Sequence, residues 1–534
     1  MSRAEKMSDI NELASAIVAA RNVNAFEPSL ENHLSLIELY MKADAVEQAL
    51  QECIDGLIEN KDSPDYIFAL LTCLEQSGDY KSSNYYLEYL KTIIDVNDYD
   101  IEIENYDEEE ESDGRPIAAQ FSIVNKKERE ESLLMRRVKK AIKDKEYDVA
   151  IKELETVDKN SKNYVNSLCY ITEITENILK DKEKTAYYAK KVLEIDKDNA
   201  HALILLTEIC EDVSEKKELY EKLKNAETFG YDDLYRHIAK IKSEDDIELC
   251  IDLLTVFLEK CPYDKFLMQL KAYLLYKEGK KNEAVDIYKK LNIVYEGKHN
   301  FPLYIEMLSD ENFGNFETPL IMNTEFIAKK LTDFVMLLNT VKPENLVSIM
   351  RNDAKINALI NWQVRSDSGN FHKEINNMFL SAGKDGLEYF KDYLKDVTVS
   401  DKYKYFALYE YILHENKEEL HFVVNNILKT FKPIYAVVFN EYSQTLKRAY
   451  AGACSIAALI CGDNYNKKLK TASVSLHFDI KRSGKNPKSE KCLTAMLIRY
   501  STIPNQDKSV LLDFIGADKR MINKYEKELE ANGN

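Results

Sequence analysis

Apolar residues recur at three- and four-residue spacing along most of the chain. "LSLIELYMKADAVEQALQECIDGL" (34–57) and "FALLTCLEQSGDYKSSNYYLEYL" (68–90) each read as an apolar helix, a turn and a second helix. That spacing gathers apolar side chains on one face of a 3.6-residue helix. "VKKAIKDKEYDVAIKELETV" (138–157) and "LMQLKAYLLYKEGKKNEAVDIYKKL" (267–291) repeat the grammar. "AYYAKKVLEIDKDNAHALILLTEIC" (186–210) supplies a second helix, an Asp-rich turn and the next first helix. A small residue follows each turn: Ala49 five after Asp44, Ser83 five after Gly78, Ala284 five after Gly279, and Ala150 after Tyr147. Asp44 and Gly78 are 34 apart, as are Ala49 and Ser83. One hairpin cannot bury its apolar face alone, so neighbours must stack, with small residues at the close helix contacts. From 296 to 440 helical spacing persists in "EFIAKKLTDFVMLLNTV" and "KYKYFALYEYILHEN", but the 34-residue beat is lost; "NFGNFETPLIMN" and "RSDSGNFH" read as loops.

These hairpins resemble the tetratricopeptide repeat (TPR) family, most closely in "EGKKNEAVDIYKKL". The resemblance spans roughly 30–95 and 132–295; the other hairpins lack the family's aromatic and its inter-repeat proline, whose place Lys197 takes. It implies a superhelical solenoid that binds peptides along the first helix of each hairpin. The inward positions would then be Glu38, Met41, Thr72, Glu75, Glu208, Glu211, Gln269, Tyr273 and Tyr276. The Lys/Asn set that clamps a terminal carboxylate in some members is absent there. The acidic character of these positions implies a basic or amphipathic partner, steered by the local field.

Composition adds the fold class. Only 15 Gly and 10 Pro interrupt 534 residues, so an all-α chain is expected: TPR-like hairpins, a helical middle and a small basic helical C-terminal domain. The boundaries read as 1–96 (N-terminal hairpins), 97–130 (acidic linker), 131–297 (solenoid), 298–440 (helical middle) and 441–534 (basic domain). Net charge is −19, but between Glu441 and Tyr525 there are 15 Lys/Arg against 7 Asp/Glu. Ten of the sixteen residues from Asp98 to Asp113 are acidic. Such a run reads as a solvated linker or as an internal partner for the basic end.

The basic end holds the one candidate for nucleic-acid contact. "TASVSLHFDIKRSGKNPKSE" (471–490) reads as a basic loop with a short alternating segment. In "LLDFIGADKRMINKYEKEL" (511–529), Gly516 is a helix C-cap and Asp518 caps the next helix. Leu511, Leu512 and Ile515 form one packing face, and Ile522, Tyr525 and Leu529 the other. The stretch resembles a helix-turn-helix, which implies that Arg520, Asn523, Lys524 and Lys527, with Lys481, Arg482 and Lys485, meet phosphates or bases. Leu512 stands where such motifs carry a small residue, and Glu526 and Glu528 add negative charge. The alternative is a C-terminal hairpin whose charged side meets water.

Candidate chemistry is otherwise sparse. The chain has no Gly-rich phosphate loop, no GxSxG, no HExxH and no paired Cys/His metal spacing. His414, Glu418 and His421 would share one face of a helix, but a metal needs further ligands, and a solvated face is the reading. Nine scattered cysteines without a CxxC read as reduced thiols. The longest apolar run, 449–461, is too short to span a bilayer. The expectation is a non-catalytic cytoplasmic scaffold for a protein or peptide, without cofactor, metal or membrane. The alternative is a regulator whose basic domain binds nucleic acid.

Overall fold

The structure, a computed structural model, describes residues 3–94, 126–159, 161, 163–226, 231–296, 298–313, 316–365, 371–485, 487–501 and 515–530. The acidic run 98–113 and Leu511 and Leu512 lie outside them. The described chain is all-α apart from one two-stranded sheet. It divides into two compact units: Met1–Asn11, Val124–Val294 and Tyr304–Ala328 form the first, while Glu12–Ile123, Tyr295–Leu303 and Lys329–Asn534 form the second. The N-terminal hairpins and the C-terminal third thus belong to one unit, and the 131–297 hairpins to the other.

One local device builds five of the hairpins. Asp44, Gly78, Lys145, Lys180 and Gly279, at five turns between first and second helices, have φ of 58°, 72°, 62°, 55° and 83°. A left-handed residue reverses the chain and lets the next amide reach back to satisfy an orphan carbonyl of the first helix. Ala45 N donates to Tyr40 O, Asp79 N to Leu74 O, Glu146 N to Ala141 O, Asp181 N to Thr175 O and Lys280 N to Leu275 O, all at 2.8–2.9 Å. Five residues after each turn stands a buried small residue: Ala49, Ser83, Ala150, Thr185 and Ala284. The third turn is at Lys145 rather than Tyr147, which restores the five-residue spacing to Ala150.

In the first unit, the first helices of successive hairpins are Tyr164–Glu173, Ala200–Ile209, Tyr231–Lys240 and Lys265–Lys277. Ala200–Ile209 packs on Tyr231–Lys240, and that helix packs on Lys265–Lys277. The second helices Val213–Asn225 and Glu244–Lys260 also pack together. Side-by-side stacking of like helices makes a solenoid.

In the second unit, the Gln444–Cys461 helix is buried along most of its length. It packs against Asp401–Leu413, Asn466–Ser483 and Glu490–Tyr500. Its small residues permit this: a Cβ added at Gly452 would lie 3.2 Å from Thr494 Oγ1. Lys429 Nζ donates to Leu459 O at 2.5 Å and Ile460 O at 3.0 Å, capping the helix end. The stretch expected as a loop at 471–490 is helical as far as Ser483, because Leu469, Ala472, Ser473, Leu476 and His477 form a buried face at helical spacing.

The single-helix reading of 414–421 is also corrected. The Asp401–Leu413 helix ends before His414, and His421 lies on strand β1 (Leu420–Val424), paired antiparallel with β2 (Ile427–Phe431). The turn residues Asn425 and Asn426 have φ of 50° and 55°, the conformation a two-residue hairpin loop needs. The turn docks on the Tyr80–Leu90 helix. Ser82 Oγ donates to Asn425 O at 2.7 Å, Tyr86 OH to Asn426 O at 3.2 Å, Leu428 N to Tyr86 OH at 2.8 Å, and Asn426 Nδ2 to Asp79 Oδ2 at 2.9 Å.

Candidate partner-binding surface

Three consecutive first helices of the first unit are tied by a polar ladder. It begins where Tyr164–Glu173 continues into a π-helical turn, Ile174–Ile178. A π turn widens the helix by a residue and often marks a functional site. Here Glu173 and Glu176, at and within it, both reach the Tyr231–Lys240 helix. Glu173 pairs with Arg236 at 3.2 Å, and Lys240 pairs with Glu176 and, at 2.9 Å, with Glu208 of the intervening helix. Glu208 also meets His237 Nδ1 at 3.2 Å, while His237 Nε2 shares a 2.7 Å hydrogen bond with Tyr220 OH. His201 bridges Asp233 and Thr172, each at 2.8 Å.

The electrostatics follow from burial and neighbours. Burial alone would raise Glu208, but hydrogen bonds from His237 and Lys240 hold it well below the usual carboxylate range. Glu176 moves the other way, raised by burial and by its neighbour Glu208. Burial would also lower His237, yet Cys250 and Glu208 beside it raise it to about 9. The ladder therefore holds a buried imidazolium against a carboxylate across successive hairpins. Such pairs fix geometry, because leaving one partner alone and buried is costly. On the same helices, Tyr170 and Tyr231 are exposed; Tyr231 lies 4.7 Å from Phe266 between ring centroids. Exposed tyrosines on a rigid frame are the residue type that anchors protein interfaces.

The nine groove positions divide between the two units. In the second, Glu38, Thr72 and Glu75 are exposed, with Thr72 Oγ1 donating to Phe68 O at 3.1 Å, and Met41 Sδ accepts from Cys73 at 3.3 Å. In the first, Glu208 is in the ladder and exposed Glu211 lies 3.7 Å from Lys182. Gln269 donates to Lys265 O at 3.0 Å. Tyr273 is buried edge-on to Phe316 at 5.2 Å, and Tyr276 stands 6.0 Å from the same ring. Residue spacing gave Glu208 but missed Glu173, Glu176, Arg236, Lys240 and His237; Arg236, His237 and Lys240 sit on the next first helix at i, i+1 and i+4, a local signal that could have found them.

At the C-terminus, Gly516 has φ of 65° and Asp518 Oδ1 accepts from Arg520 N at 2.8 Å. The Lys519–Glu530 helix buries Ile522 and Leu529 and exposes Arg520, Asn523, Lys524 and Lys527. Lys481 pairs with Glu441 at 2.6 Å and Arg482 with Asp479 at 2.8 Å; Lys485 is exposed. Elsewhere, Glu418 pairs with Lys391 at 3.0 Å. Among the described residues no cluster of three or more His, Cys, Asp or Glu is placed to hold a metal, and no helix is long and apolar enough to cross a membrane. None of the nine cysteines, all of them among the described residues, is in a disulfide.

No family model matches the chain, and no curated protein matches it. Among solved structures the chain is similar to one described as "Structure of Naa15/Naa10 bound to HypK-THB". That match covers 98% of this chain and 87% of that chain at 11% identity, with a TM-score of 0.22.

Proposed function

We propose that the chain is a non-catalytic, cytoplasmic TPR-type scaffold that binds a protein or peptide on the first-helix face of the 164–277 hairpins. The observation that carries this reading is the Glu173–Glu176–Glu208–Arg236–His237–Lys240 ladder, which ties together three first helices, the outer two of which carry the exposed Tyr170 and Tyr231. A preorganised face binds without the entropy of ordering. On this face the acidic charge that would attract a basic segment rests on the exposed Glu211, since Glu208 is already occupied. Photo-crosslinking residues placed at Tyr170 and Tyr231 in the full chain should capture the same partner, and one at the exposed Val437 should not. Capture at all three positions alike, or only at Val437, would remove this face from the reading.

A second reading, nucleic-acid binding by the C-terminal helices, is favoured by one observation: Arg520, Asn523, Lys524 and Lys527 all stand on the exposed side of their helix. Reversing the charges of Arg520, Lys524 and Lys527 together should abolish a gel shift that weakens steeply with salt. A shift that survives the reversal would end it.

A further inference from the structure

The second unit contains a polar cleft of about 350 Å³, within the range of small-molecule sites. Its walls come from four separated stretches: Gln51 and Asp55, Glu296 and Lys298, the Ala354–Arg365 helix, and the end of the Gly383–Lys395 helix. The floor is fixed from within. Arg365 donates to Asp396 at 2.5 Å, to Thr398 Oγ1 at 2.8 Å and to Asn361 Oδ1 at 3.1 Å; Asn361 Oδ1 also accepts from Tyr393 OH at 3.0 Å. Asp396 completes this lock through the Thr398 amide at 2.8 Å.

Seven charged side chains line the cleft, and most cancel internally. Asp396 is paired with Arg365 at 2.5 Å, Asp392 with Lys395 at 3.0 Å, and Glu296 with Arg21 at 2.8 Å. Two remain: Asp55 and Lys298. Neither is in an ion pair among the described residues. Asp55 has one hydrogen bond, from Gln51 Nε2 at 3.2 Å, and Gln51 is itself anchored by the Val397 amide at 3.1 Å. Burial raises Asp55, against the pull of Lys395 and Lys298, as expected of a carboxylate lacking a close counter-charge. An open cleft that satisfies its own charges except for one acid and one base presents a complementary pair of reading heads.

We infer that this cleft binds a small zwitterion of free amino-acid type, its ammonium on Asp55 and its carboxylate on Lys298. The site is independent of the first-helix face, and its occupant need not be the scaffold's partner.

Calorimetric titration of the full chain with the common L-amino acids at millimolar concentration tests this. At least one should bind, and its N-acetyl and its amide derivatives, each lacking one charge, should bind the unmodified protein at least about tenfold more weakly. Asp55→Asn and Lys298→Met should each produce a loss of about that size. The derivatives need no variant, so the result stands even if a substitution impairs folding. The inference is overturned if no amino acid binds, if either derivative binds as well as its parent, or if binding survives in a folded Lys298→Met protein.

Discussion

Replacing Tyr86 by Phe removes one oxygen from a contact between segments about 340 residues apart. That hydroxyl donates to Asn426 O at 3.2 Å and accepts from Leu428 N at 2.8 Å, and the side chain is buried. Phenylalanine keeps the ring and its packing, so no cavity term enters. What remains is a half-buried amide and a half-buried carbonyl without their partner, a loss of about 1–3 kcal/mol. Asn425 and Asn426 are held at positive φ, a conformation with its own cost, so the docking bonds also help to retain the turn. Native-state hydrogen exchange reads this directly. The Leu428 amide should exchange roughly 5- to 150-fold faster in Tyr86→Phe, the ratio equivalent to that free energy. Amides in the Ala200–Ile209 and Tyr231–Lys240 helices should be unaffected. An unchanged Leu428 rate would show that the turn does not depend on Tyr86 and would refute the closure of the second unit through this contact.

Other expectations concern charge and the hairpin device. Glu208→Gln should leave the buried His237 imidazolium without its carboxylate and destabilise the first unit by about 3–5 kcal/mol. Because the folded pKa of His237 is raised to about 9, that stabilisation is present below the unfolded value near 6.5 and lost as pH rises through 9. The gap between the melting curves of the two proteins should therefore narrow as pH rises through 9, leaving the part owed to Lys240, which also pairs with Glu208. Lys404 shows the opposite sign: it is fully buried against Asp396 O and Val423 O, and burial lowers it to about 8. The unfolded chain then binds the extra proton between about pH 8 and 10.4, and stability relative to Lys404→Met should rise across that window. Gly279, at φ 83° with nothing within 4 Å of an added Cβ, should cost about 1–2 kcal/mol on substitution by Ala, from backbone strain alone. Lys180→Gly should gain about 1 kcal/mol at its equivalent turn, measured by urea unfolding.

The hairpins were legible because their device is local. A left-handed turn and a small residue five positions on leave a mark within a dozen residues, as at Gly279 and Ala284. The 466–483 helix was harder: Ser473, Ser475 and Thr471 favour other conformations on their own, and burial of Leu469, Ala472 and Leu476 overrides them. The β-hairpin had a readable signal in "HFVVNNILKTF", where two asparagines follow a β-branched pair, but the helical pattern running up to His414 masked it. The ladder was half legible, through Glu208. The cleft was not, since Asp55, Lys298, Arg365 and Asp396 meet only once distant segments fold together, and no local spacing encodes that.

The docking of Asn425 and Asn426 on Ser82 and Tyr86 also sets a timetable for the ribosome. The two bonds join residues 343 and 340 apart. At about 5–20 residues per second, the Tyr80–Leu90 helix is out for roughly 20–70 s before the strand turn that covers it has been made. During that interval the intervening hairpins can stack as they emerge, since each needs only its neighbours. The N-terminal pair must wait with its docking face uncovered, so nascent chains stalled between residues 294 and 420 are the species a chaperone would find most exposed there.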